Sequence, residues 1–96
     1  MRTIYRYSLK PTEEQEIMIN GLSDTTSIRE QILKVDTIRG IPSIWCLVDN
    51  EAPLEPLKIK LYGTGWPITN KEINKDNYLG SFFLGSTEIY HVFLEQ

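Results

Sequence analysis

The run I-P-S-I-W-C-L-V at residues 41–48 constrains the fold more than any other stretch, because it is apolar at both parities. An extended segment turns successive side chains to opposite faces, so a strand apolar on both faces must be covered on both. It reads as a central strand, with Pro42 near its start, where a missing N–H is tolerated. The segments before it are β-rich as well. Residues 3–9, T-I-Y-R-Y-S-L, put Tyr5, Tyr7 and Leu9 on one face and Ile4 and Arg6 on the other. After the acidic run Glu13, Glu14 and Glu16 comes Ile17-Met18-Ile19, and Asn20-Gly21 is a turn signal. A short second strand there, in a hairpin with the first, is expected.

Ser27 stands three residues before Glu30, the spacing of a capping box, so a short helix competes with a strand over residues 31–38. The strand is the preferred reading, because Arg39-Gly40 then joins it to residues 41–48 as a hairpin. At most one helical turn survives at 27–31. Residues 49–56, D-N-E-A-P-L-E-P, read as a connecting loop. Leu57, Ile59 and Leu61 alternate with Lys58, Lys60 and Tyr62, a half-buried strand with a basic, wet face. The polar residues 69–77 read as an exposed loop, and 78–84 and 88–94 as two further strands joined by Gly85-Ser86-Thr87. The 96 residues can bury one modest core. The expected fold is therefore a mainly β, small single-domain antiparallel sandwich or partly open barrel over 1–96, with about six to seven strands.

Charge and cysteine content exclude several function classes. A formal net charge of -3 argues against a general nucleic-acid surface, which rests on clustered Lys and Arg. Cys46 is the only cysteine, so there is no intrachain disulfide or cysteine metal cluster, and a reducing compartment fits. No run reaches the roughly 18 apolar residues of a membrane-spanning helix, and residues 1–10 lack a signal-peptide core. An intracellular protein without membrane contact is the expectation. His91, the only histidine, lies among strand formers and reads as a packed, hydrogen-bonded side chain. No nucleophile–base pair, metal set or cofactor motif is evident, so a non-enzymatic protein is expected.

The most suggestive stretch for binding is Gly63-Thr64-Gly65-Trp66, directly after the lysine-bearing strand. Glycines flanking a threonine can form a tight turn or bulge, a backbone nest for an anion, or both. It lacks the Lys-Ser/Thr ending and the following helix of a P-loop. Lys58 and Lys60 as cations, Trp66 as a stacking ring, and Arg6 and Arg39 as further cations complete the candidate ligand-binding set.

Taken together, M-R-T-I-Y-R-Y at the start, W-C-L-V-D at 45–49, G-T-G-W-P-I at 63–68, Y-L-G-S-F at 78–82 and I-Y-H-V-F at 89–93 span nearly the whole chain. This set resembles a family of small uncharacterised proteins of tailed bacteriophages and prophages. The family often carries histidine where this chain has Trp66, so no role for that histidine is carried over. The resemblance implies a phage accessory protein acting in the host bacterial cytoplasm against bacterial defence. The preferred reading is a sponge that binds and sequesters a cyclic nucleotide or ADP-ribose-type signal; the alternatives are an inhibitor that binds a host defence protein directly and a non-catalytic phage structural or accessory role. A homo-oligomer is expected, because aromatic-rich strands on a core this small leave apolar surface to cover.

Overall fold

The structure is a computed structural model that describes residues 1–22 and 28–95. Among the described residues seven strands follow in order: β1 Arg2–Ser8, β2 Glu14–Asn20, β3 Ile32–Ile38, β4 Ile41–Asp49, β5 Leu54–Gly63, β6 Tyr78–Leu84 and β7 Glu88–Leu94. They form two antiparallel sheets, one ordered β1-β4-β3 and the other β2-β5-β7-β6. The expected β fold is what forms, as two packed sheets. A four-residue helix, α1 Ile28–Gln31, is the single turn expected at that place; Ser27, its expected cap, lies outside the described residues. No helix among the described residues is long and apolar enough to cross a membrane.

The apolar run that anchors the sequence is β4, central in its sheet. Ile44, Cys46 and Val48 point inward and are buried, meeting Leu57, Ile59 and Leu61 of β5 and Val92 and Leu94 of β7 in one core. β3 and β4 are joined by Arg39-Gly40, both at positive φ (51° and 79°), with Ile38 opposite Ile41. Two consecutive positive φ values are what a type I′ turn requires, and that turn matches the twist of a two-residue hairpin. The sheets meet where β3 runs beside β6. There the Thr37 hydroxyl donates to the Phe83 carbonyl, and a Cβ on Gly80 would stand 3.0 Å from Cβ of Val35. A side chain at residue 80 would push the sheets apart, so glycine sets this approach.

Three expectations are corrected. β1 and β2 do not form a hairpin: β1 pairs with β4, and β2 crosses to the other sheet to pair with β5. The pairing that wins is electrostatic as well as apolar, since Glu14 faces Lys60 and Glu16 faces Lys58 across the strands. The connection read as residues 49–56 ends earlier, because β5 begins at Leu54 and contains Pro56. At that end β5 pairs with β2 alone, its pairing to β7 starting only at Ile59, so a residue without an N–H is accommodated. The loop at 69–77 ends in a 3₁₀ turn, Lys75–Asn77, capped by Asn74, whose side chain accepts from the Asp76 N–H. Asn77 is buried, and its Nδ2 donates to the carbonyls of Glu72 and Leu94, both at 3.1 Å.

Candidate functional site

The proposed ligand set does not converge. Lys58, Lys60, Gly63, Thr64, Gly65 and Trp66 belong to β5 and the turn after it, whereas Arg6 lies on β1 and Arg39 in the β3–β4 turn, both in the other sheet.

The lysine face of β5 is not a free basic surface. The Lys60 side chain is only 10% exposed, and its ammonium pairs with Glu14 and, at 3.8 Å, with Glu95. A hydrogen bond to Glu14 holds the Lys60 ammonium above its ordinary pKa and, reciprocally, holds the Glu14 carboxyl below the usual range. Lys58, more exposed, lies 4.0 Å from Glu16. Tyr62, the third residue of that face, is buried edge-on against Phe93 at 6.0 Å. The depression beside these lysines, about 290 Å³, is lined by Glu14, Gln15, Glu16, Lys58 and Glu95. Carboxylates outnumber cations there, which repels a phosphate.

The glycine turn builds a second cavity of about 270 Å³, lined by Gly63, Thr64, Trp66, Thr87, Glu88, Ile89 and Tyr90. The Thr64 N–H donates to the Ile89 carbonyl at 3.0 Å, and the Trp66 N–H to that of Gly63 at 3.0 Å. These backbone N–H groups close the turn instead of forming a nest for an anion. The Trp66 indole folds back over Gly63 and meets the Tyr90 ring edge-on at 5.6 Å. Tyr90 donates its hydroxyl to Glu88 at 3.1 Å, and that hydrogen bond raises the phenol pKa. Among the described residues, the only formally charged side chain lining this cavity is Glu88.

His91 is hydrogen-bonded, as expected for a packed histidine: Nε2 lies 2.8 Å from the Thr64 hydroxyl and Nδ1 3.2 Å from that of Tyr78. This chain of contacts ties the turn to β7 and β6. Cys46 is buried, and burial alone pushes its thiol up to about 12, far from a thiolate nucleophile. Among the described residues no group of three His, Cys, Asp or Glu side chains is placed to hold a metal ion.

The exposed face of the three-stranded sheet carries what sequence reasoning missed. Cross-strand register sets Ile4 opposite Leu47, Arg6 and Lys34 on either side of Trp45, Ser8 and Asp36 on either side of Ser43, and Ile38 opposite Ile41. Ile4, Ile38 and Ile41 are 55%, 43% and 45% exposed. Lys34 stands over the Trp45 ring, its Nζ 5.6 Å from the centroid, and pairs with Asp36 at 3.4 Å. Arg6 lies across Ser43, donating to its hydroxyl at 2.8 Å, which buries that serine on an otherwise open face. The signal was available in the alternation of 41–48: treating both of its faces as core hid that Trp45 and Leu47 share a face with Arg6.

Fold and site together define a small all-β, two-sheet protein with an uncovered sheet face bearing one indole between two cations. The chain belongs to the family described as a domain of unknown function, DUF7352, which it matches over residues 1–96. Comparison with curated proteins and with solved structures gave no match.

Proposed function

We propose that this is a non-catalytic phage protein that counters bacterial defence by binding a host protein through the outer face of the three-stranded sheet. The observation that carries this reading is the face itself: Ile4, Ile38 and Ile41 exposed around half-buried Trp45 and Leu47, with Arg6 and Lys34 flanking the indole. Aromatic and arginine anchors inside an apolar patch are the composition of a protein-binding surface. The target chemistry that fits is an apolar surface carrying carboxylates. The nucleotide sponge, the reading preferred from the sequence, has weaker support, because the β5 lysines are engaged by carboxylates and the turn cavity carries a carboxylate itself.

The test is a plaque assay in bacteria that carry a defence system and express the protein. Lys34→Glu and Ile38→Glu are expected to abolish protection of the phage, while Trp66→Ala retains it. Loss with Trp66→Ala and retention with both face variants would move the function to the glycine turn.

A further inference from the structure

Two strand margins are open among the described residues: that of β1, and that of β2 from Glu16 to Asn20, where β5 is its only strand partner. β1 pairs only with β4, so one row of its backbone N–H and C=O groups has no strand partner among the described residues. β3 and β6 shield one another, as the Thr37–Phe83 contact shows. The start of β2 is covered by the chain just before it: the Lys10 N–H donates to Gln15 Oε1 at 3.0 Å, and Gln15 Nε2 donates to the carbonyls of Lys10 and Thr12 at 2.7 and 3.2 Å. β1 has no proline and no bulge, the usual guards of an exposed edge. Its nearest guard, Arg6, is drawn back over the sheet by Ser43 and Ser8. Tyr5 points to the core side, opposite buried Cys46, yet is 40% exposed at this edge, with the Tyr7 ring edge-on to it at 6.4 Å.

We propose that a second copy of this chain occupies this edge, β1 pairing antiparallel with its counterpart about a twofold axis at Tyr5, so that the two three-stranded sheets become one of six strands. The register follows from overlap and charge: centring on Thr3 or Tyr7 would pair only three residues of β1, and like charges decide among the longer registers. Inner residues must oppose inner residues, because a one-residue slip flips the strand. Among the registers that keep the faces aligned, centring on Ile4 sets Arg2 against Arg6 of the second copy, and centring on Arg6 sets that arginine against itself. Centring on Tyr5 opposes Ile4 with Arg6, Thr3 with Tyr7 and Arg2 with Ser8, and stacks Tyr5 on Tyr5, with no like charges face to face. The pairing satisfies the open backbone row, covers the exposed Tyr5 ring, and sets the two Trp45 faces side by side on one surface. It does not depend on which partner that face binds.

Sedimentation equilibrium over micromolar to millimolar protein tests this. The parent is expected to run as a reversible dimer. Ile4→Glu places a carboxylate opposite Arg6 of the second copy, twice by symmetry, and is expected to tighten the dimer by about threefold to tenfold, while Ile4→Lys weakens it by a similar factor or more. Met18→Lys, on the exposed face of β2, is expected to leave it unchanged. Ile4 is more than half exposed, so both variants keep the fold, which circular dichroism verifies. A monomer throughout, a dimer that the two Ile4 variants shift equally, or a dimer broken by Met18→Lys would each overturn the proposal.

Discussion

The indole of Trp66 occupies the space that a side chain on Gly63 would need: a Cβ there would lie 2.7 Å from both Cε2 and Nε1 of the ring. Gly63 is itself paired with Tyr90 across the strands, so the ring is pinned between a bare backbone and the Tyr90 edge.

Gly63→Ala must therefore expel the indole. Because the displaced group is a partly exposed side chain and not backbone, the loss is expected at the low end for overpacking, about 1 kcal/mol, or about 4–8 °C in Tm. The checking measurement is tryptophan fluorescence, which should shift to the red as Trp66 enters water. Unchanged emission would mean that the ring is not seated on Gly63.

Arg39 holds a left-handed conformation, φ 51°, in the tight β3–β4 turn, a region that β-substituted residues occupy at a cost and asparagine tolerates. Arg39→Asn is expected to stabilise the protein by about 0.5–1 kcal/mol in urea unfolding. Destabilisation would show that the guanidinium contributes to the fold more than the turn strain removes.

The buried Asn77 amide bridges the 69–77 connection to the last strand through the carbonyls of Glu72 and Leu94. Asn77→Ala leaves both acceptors without that donor and is expected to cost about 1–3 kcal/mol. Urea denaturation would show it as a lower midpoint with an unchanged slope.

The Glu14–Lys60 pair sets a pH window. Glu14 has a folded pKa below its ordinary value, chiefly through its hydrogen bond to Lys60, so its contribution is present above the unfolded pKa and disappears as pH falls through the folded one. Asp36, held down by the Thr37 N–H, and Asp49, held down by the Glu51 N–H, add on the same acid side. Lys60 has a raised pKa, so its contribution is complete below the ordinary lysine value and is lost as pH climbs through the raised one. Tm should be level for these groups from about pH 5 to about pH 10 and fall outside that range. Glu14→Gln should flatten the acid limb and bring the alkaline fall to lower pH.

Much of the fold was legible because alternation and turn residues are local signals. β6 and β7 occupy residues 78–84 and 88–94, as read, since each is a short apolar run bounded by glycine or polar residues. The β3–β4 hairpin was legible from Arg39-Gly40. The partnership of β1 and β2 was not, because strand pairing is decided by contacts between residues far apart in sequence. Adjacency suggested a hairpin, whereas Glu14 and Glu16 find their complements in Lys60 and Lys58. The matching spacing of E-Q-E and K-I-K was the available clue. The same signal bears on the candidate site: Lys58 and Lys60, read as ligand cations, are paired with Glu16 and Glu14 of the acidic run. Trp45 was passed over for the opposite reason, its apolar neighbours making it look like core.

Whether Lys58 and Lys60 are structural cations or ligand cations is decided most directly by a melting screen at neutral pH. Parent, Lys58→Ala, Lys60→Ala and Trp66→Ala would each be scanned with and without cyclic dinucleotides, cyclic trinucleotides and ADP-ribose derivatives, since a ligand of the folded state raises Tm by mass action. The structure leads us to expect that no nucleotide raises the Tm of the parent and that Lys60→Ala lowers it with no ligand present. A nucleotide that raises the parent Tm and loses that effect in Lys58→Ala or Trp66→Ala would contradict it.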